Sequence, residues 1–466
     1  MRPVRHKPPG RAQGEDNQVP ENSLRLALTG DSILMRRLNS RTDPVVQPLF
    51  DLIRGADIGF TNLEVLPNDH RGDPAQESGG SHFAAPSWVV DELVEAGFHL
   101  FAAATNHALD YSISGLLAAI ETLEDRGVAF AGVGRNLERA RMPVYHTHPK
   151  ATVAMLSCAS TFAKGQQAGA QTADLPGRPG RNPLRYDTEH EITAEQMATL
   201  RQMADQLGLE KQRQARIQLG FGFPPDDPAI FPLGEMNFRE ASRTALRTSA
   251  RKKDVDGIIR WLHETKPVSD LSLVSVHAHE QGTNAQGETD KEVPAEFLPV
   301  FCRRMIDEGA DLVVGHGPHL LRGMEIYKGR PIFYSLGNFI GQNELVARLP
   351  SDSYERFRVD PNTTPVLAYR QRTDHDRKGF PSDSRFWESV VPICRFEGNR
   401  LAGIDIHPVS LGLGEAAHSR GRPRLAEGRH AQDILGRFAT LSASFGTKLD
   451  IRDGIAKVLL PGGRSA

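Results

Sequence analysis

Cysteine is scarce in this 466-residue chain, with three in all: Cys158, Cys302 and Cys394. They stand far apart and form no Cys-x-x-Cys spacing. A disulfide framework is excluded, and buried thiols in a reducing compartment are expected. Long apolar runs are also missing. No stretch approaches the ~18 residues of a membrane span. The opening MRPVRHKPPGRAQGEDNQVPENS has no apolar signal core, so a cytoplasmic address without a membrane partner is expected. Neither sign of charge dominates: 56 Lys and Arg face 58 Asp and Glu, for a net charge of −2. General attraction to nucleic acid is therefore not expected. What is present, 39% hydrophobic and 24% charged residues, suits a packed globular core.

Residues 1–22 read as a disordered arm, polar and proline-bearing. From 24 the chain alternates strand and helix. LRLALTGD (24–31), ADIGFTNLEV (56–65), FHLFAAATNH (98–107), VAFAGVG (128–134) and KATVAMLSC (150–158) read as strands. SWVVDELVEAGF and SISGLLAAIETLEDRG read as helices between them. This alternation predicts an α/β sheet with covered faces. Residues 161–265 break the pattern. They are rich in Gly, Pro, Arg and Gln, with one long helix expected over TAEQMATLRQMADQLGLEKQRQARIQL. Having few apolar residues for its length, this segment reads as an insertion over the sheet. Order returns with LSLVSVHAHE (271–280), a helix at PAEFLPVFCRRMIDEG, the strand ADLVVGHGPH and a hairpin-like LRGMEIYKGRPIFYSLGNFI. Residues 345–385 read as a polar loop. Residues 388–412 read as two antiparallel strands of a second sheet packed on the first. The main domain is thus 23–412, with 413–466 as a C-terminal extension.

Five apolar runs end in groups that bind metals or move protons: Asp31; Glu64; Asn106 with His107; His277 with His279 and Glu280; His316 with His319. Strands of an open α/β sheet deliver their carboxyl ends to one crevice. Five such ends in one chain point to a shared site rather than to separate structural histidines. The mixed oxygen and nitrogen donors suit one or two divalent ions: Mn²⁺, Ca²⁺, Zn²⁺ or Fe²⁺. Asn106 would coordinate, while His107, positioned by Asp110, would face the substrate.

The ordered set GDSIL, TNLE, TNHALDYS, VHAHE, GHGPH and YSLGNF resembles the CapA family of poly-γ-glutamate capsule biosynthesis proteins. That family is in turn similar to the calcineurin-like metallophosphoesterases. The resemblance covers about 24–160 and 270–345 and implies a four-layer α/β/β/α sandwich. It also places Asp31, Glu64, Asn106, His277, His316 and His319 on metal-ligand positions, and His107 on that of the general acid. Three positions depart from the phosphoesterase pattern: Ile33 replaces a histidine, Glu64 replaces a bridging aspartate, and Gly-His-Gly-Pro-His is one residue longer. These departures imply an altered metal site.

Some soluble CapA-like proteins are peptide epimerases of lasso-peptide biosynthesis, and the resemblance implies the same class here. A peptide residue would be inverted at Cα through a metal-stabilised enediolate. His107 with Asp110 and His279 with Glu280 would be the flanking acid/base groups. The peptide substrate, with or without a leader segment, would lie along the insertion. Arg178, Arg181 and Arg185 would hold a carboxylate, and Asn338 would contribute to the pocket. The alternatives are a metal-dependent hydrolase of phosphoester or poly-γ-glutamyl amide bonds and a non-catalytic polyglutamate-binding capsule protein. Trp88, Trp261 and Trp387 read as packing residues and His407 as structural.

Overall fold

The fold is taken from a computed structural model that describes residues 23–460. The arm expected over residues 1–22 lies outside the described residues. The central strand Leu24–Ile33 alternates as the pleat requires: Leu24, Leu26 and Leu28 enter one core, while Ala27 and Ile33 turn to another. Ile58–Leu63, Leu100–Ala102 and Ala129–Ala131 continue parallel to one side of it. Glu388–Glu397, Arg400–Ser410, Ile455–Val458 and Leu449–Arg452 extend the same sheet antiparallel on the other side. The strands expected to start a second sheet therefore join the first. The reason is an open edge: Leu24–Ala27 pairs with Ile393–Phe396. The turn that joins Glu388–Glu397 to Arg400–Ser410 is at Gly398, whose φ is +57°.

The second sheet has the order Leu321–Tyr327, Arg330–Leu336, Leu312–His316, Leu271–His277, Ala151–Ala159, Val144–His148, with the inner four strands parallel. Its inward residues Val153, Met155, Leu271, Leu273, Leu312 and Val314 pack with the leucines of the central strand. Helices Gln47–Arg54 and Trp88–Glu95 cover the outer face of the first sheet. Lys252–Thr265 and Phe297–Asp307 cover the outer face of the second. The architecture is a four-layer α/β/β/α sandwich. Its parallel strands all point their carboxyl ends toward one edge.

The insertion has more structure than one helix. Tyr186–Ile192, Ile230–Leu233, Met236–Glu240 and Ala245–Ala250 form a four-stranded sheet. The long helical pattern is interrupted at Gly208, whose φ is +72°, giving Ala194–Gln206 and Leu209–Gln218. Its core is small: Met197, Ala204 and Phe231. Residues 345–385 also contain two helices, Ser351–Phe357 and Pro365–Arg372. In the C-terminal extension, Gly428–Ala443 buries Ile434, Leu435 and Phe438 against the core between the sheets. Among the described residues no helix is long and apolar enough to cross a membrane.

The insertion is tied to the sandwich through Asp254, which is fully buried at the start of Lys252–Thr265. It accepts from Arg185 Nε and Nη2 at 2.7 Å each and from Arg141 Nη2 at 3.2 Å. Asp254→Ala would leave the buried Arg141 guanidinium without its carboxylate and release Arg185. The expected cost is about 3 kcal/mol, read as a lower urea midpoint with an unchanged slope. An unchanged midpoint would show that the anchor is not needed.

Candidate functional site

Strand register assembles the site. Asp31 pairs across the first sheet with Asn62 on one side and Asn338 on the other. In the second sheet His277 pairs with His316. Glu64 lies just past its strand, and Asn106 just past the short strand Leu100–Ala102. All the strands concerned end at the same edge, so residues spread over nearly three hundred positions converge.

The geometry is close. His277 Nδ1 lies 3.0 Å from His316 Nδ1, and His277 Nε2 lies 2.9 Å from Asn106 Oδ1 and 3.1 Å from His279 Nε2. Glu64 Oε1 is 3.7 Å from His277 Nε2. His319 Nδ1 is 3.3 Å from Asp31 Oδ2, 3.6 Å from Glu64 Oε2 and 2.9 Å from Asn338 Oδ1. Three groups of potential ligands overlap: Asp31, His277, His316; Glu64, His277, His279; and Asp31, Glu64, His319. Asp31, Glu64, His277 and His316 are all 0% exposed.

The electrostatics select a cation. Burial raises the Asp31 carboxyl, but His319, His316 and the Gly317 N–H outweigh it and hold it below the ordinary value. Glu64 is pushed well above its ordinary value, first by burial and then by the Asp31 and Asp110 charges. Neither Glu64 oxygen receives a hydrogen bond, which in a fully buried carboxylate is a demand for a positive partner. Burial, reinforced by neighbouring imidazoles, drives His277 and His279 well below their usual value. Burial also takes His316 down to about 4. These rings are neutral at pH 7, the form that offers a lone pair to a metal. The donor set therefore fits a divalent ion.

Two further features hold the set in place. Gly317, the extra residue of Gly-His-Gly-Pro-His, adopts φ +113° and donates its N–H to both oxygens of Asp31, at 3.1 and 3.2 Å. A Cβ there would stand 2.9 Å from the His279 ring. Arg322, fully buried, donates to the carbonyls of Ala278, His279 and Glu280 and so fixes that turn.

His107 stands beside this cluster. Its Nδ1 is 2.7 Å from Asp110 Oδ2, and its Nε2 is 4.0 Å from Glu64 Oε1. The Phe83 ring lies 4.2 Å from the imidazole, and the Phe83 N–H donates to Asp110. His107, His279 and His319 open onto a cavity of about 410 Å³. Its walls come from Phe83, Tyr369, Phe380 and Phe386, with Lys291, Arg372 and Lys378 among its lining residues.

Thus Asp31, Glu64, Asn106, His277, His316, His319, His107, Asp110, His279 and Asn338 are brought together. Glu280 is not hydrogen-bonded to His279; it accepts from Ser160 Oγ and Thr161 Oγ1 instead. None of the three arginines lines the cavity. Arg185 holds Asp254, and Arg178 donates to the Gln167 carbonyl on the surface. Arg181 is fully buried under Phe162, with its guanidinium pushed down to about 9 by burial. Loop charge alone could not tell these roles apart. The cavity wall comes instead from the segment that reads as a polar loop. Sequence reasoning also passed over Asn62, whose Nδ2 donates to Asp31 at 2.8 Å, and Ser275, whose Oγ is 2.6 Å from His316 Nε2. Ser275 carried a signal: it lies two residues before His277, on the same face of the strand.

Residues 25–343 match the family described as bacterial capsule synthesis protein PGA_cap. Uncharacterized protein y4sH of Sinorhizobium fredii is 32% identical over 449 residues, covering 93% of each chain. The capsule biosynthesis protein CapA of Bacillus anthracis is 23% identical over 74% of this chain and 66% of its own length. The PGA biosynthesis protein CapA of Bacillus subtilis is 22% identical over 69% of this chain and 64% of its own. With a site of this composition on this sandwich, and a match over most of its length, the chain belongs to the PGA_cap family of bacterial capsule synthesis proteins.

Proposed function

We propose that this protein is a metal-dependent enzyme acting on a peptide, cleaving an amide bond with His107 as proton donor. The observation that carries this reading is the His107–Asp110 pair. It is a buried imidazole–carboxylate couple at 2.7 Å that opens on the cavity beside the carboxylate and histidine cluster. Asp31, Glu64, Asn106, His277, His316 and His319 would hold the cation, with His279 within reach of the same set. A bound divalent ion polarises a carbonyl or phosphoryl oxygen.

The chain's own residues do the rest. Asp110 accepts at His107 Nδ1 and so fixes the ring and presents Nε2 to the cavity. With both ring nitrogens protonated, His107 hands its Nε2 proton to the departing amine nitrogen as a water molecule adds to the carbonyl carbon and the C–N bond breaks, and a proton from that water restores the ring. Phe83 packs against the imidazole and helps to hold it in that orientation. A non-catalytic polyglutamate-binding protein would have no use for an oriented acid at this position.

Cα epimerisation is the second reading, in a peptide-tailoring setting such as lasso-peptide biosynthesis. It is favoured by His279 also lining the cavity, which offers a second ring to the substrate. It requires a proton-transfer group on each face of Cα. His279 lacks the Glu280 partner that would make it a matching couple, and this places hydrolysis first.

Two outcomes follow. Purified protein is expected to carry divalent metal by elemental analysis, and His316→Ala or Glu64→Ala to lower its content at least tenfold, in line with loss of a ligand. Full occupancy in both variants would remove these residues from the ligand set. His107→Ala is expected to keep the metal and lose about 10²- to 10⁴-fold in turnover. The reaction is identified by incubating peptides in D₂O. New amine without deuterium at Cα is the expected result. Deuterium in an otherwise intact peptide would establish epimerisation in its place.

A further inference from the structure

Lys291 and Arg372 line the cavity, yet among the described residues neither forms an ion pair with a carboxylate. The other charged groups of the lining are matched: Lys378 lies 3.7 Å from Asp374, and Glu344 is bonded to Arg420. The guanidinium of Arg372 sits 4.4 Å over the Phe357 ring, and that of Arg356 sits 5.4 Å over the same ring. Arg356 also donates to the carbonyl of Gly80, another lining residue. Two like charges are thus held over one aromatic ring without a counter-charge. Lys291 is placed 5.4 Å over Phe386. Cations fixed in this way, rather than swinging in solvent, are pre-oriented donors for an anion. Beside them Phe83, Phe380 and Phe386 give the cavity an apolar wall, with Phe380 and Phe386 4.3 Å apart.

We propose that Arg372 and Lys291 form a clamp for the terminal carboxylate of a peptide whose last side chain is apolar and packs on Phe380 and Phe386. The clamp rests on the reading of this cavity as the substrate site, and it sets which peptides enter. The carboxylate sits at the mouth, where Arg372 and Lys291 are exposed. A polymer with a carboxylate on every unit would set its other charges against the phenylalanine wall, where burial costs most. A peptide amide would leave two cations unmatched.

The test is calorimetric binding to the full metal-loaded chain, with four probes: acetyl-Ala-Ala-Phe as the free acid, the same peptide as its C-terminal amide, γ-linked triglutamate and inorganic phosphate. The acid is expected to bind at least about tenfold more tightly than the amide, the scale of one charge-assisted hydrogen bond. It is also expected to bind more tightly than triglutamate or phosphate. Arg372→Gln and Lys291→Gln, both on exposed positions, should each erase most of the preference for acid over amide and leave the amide unchanged. The proposal is overturned if the acid does not bind, if acid and amide bind alike, if either other anion binds more tightly, or if both variants keep the preference. Repeating the measurement on His107→Ala separates the two readings. Intact selectivity with undiminished turnover would sink the proton-donor assignment and leave the clamp standing. Lost turnover with no selectivity would do the reverse.

Discussion

Two carboxylates, Asp31 and Glu64, lie side by side with no exposure to water. In an apolar sandwich this is an expensive arrangement unless positive charge lies between or beside them. Asp31 has what it needs from the protein: the Gly317 N–H, Asn62 and the neighbouring imidazoles. Glu64 does not, since no donor reaches either of its oxygens. Burial drives His277, His279 and His316 toward the neutral form, which has lone pairs to give. A divalent ion resolves both halves at once, and the rest of the site is organised around that need.

This constraint explains the fold's economy. Neither sheet alone carries the whole candidate set. The first supplies oxygen donors from its parallel strands, Asp31, Glu64 and Asn106; the second supplies nitrogen donors, His277 and His316. Only face-to-face packing with both sets of carboxyl ends at one edge brings the two kinds together. The leucine and valine stripes between the sheets therefore do more than stabilise. They set the spacing between Asp31 and His316, whose Oδ1 and Nδ1 are 3.8 Å apart. The helix Gly428–Ala443 adds Ile434, Leu435 and Phe438 to the same core.

Much of this was legible before any coordinates. Polar groups at the ends of apolar runs are a local signal, and parallel topology turns such ends into neighbours. That is why Asp31, Glu64, Asn106, His277, His316 and His319 could be named from residue type and position. The arginines show where the reasoning stops. Arg178, Arg181 and Arg185 look alike in GRPGRNPLR, but one is on the surface, one is fully buried and one holds Asp254. Nothing in their spacing separates those fates, because each depends on a contact far away in sequence. The insertion was illegible for a related reason. Its small sheet is built from half-buried polar strands that lack the alternation of a strand with one wet face and one dry.

The family match ends at residue 343, and the wall of the cavity begins soon after it. Tyr369, Arg372, Phe380 and Phe386 all come from the segment beyond that boundary. The part that the chain shares with capsule synthesis proteins carries the buried carboxylate and histidine cluster and the His107–Asp110 pair. The part outside the match supplies the surface a substrate meets first. The cavity lining is thus drawn from both stretches, with Phe83 and Lys291 inside the match and Tyr369, Arg372, Phe380 and Phe386 beyond it. A site of this kind keeps its reaction while its mouth changes, because exchanging an exposed cation or a wall phenylalanine leaves the buried register of Asp31 against Asn62 and His277 against His316 untouched.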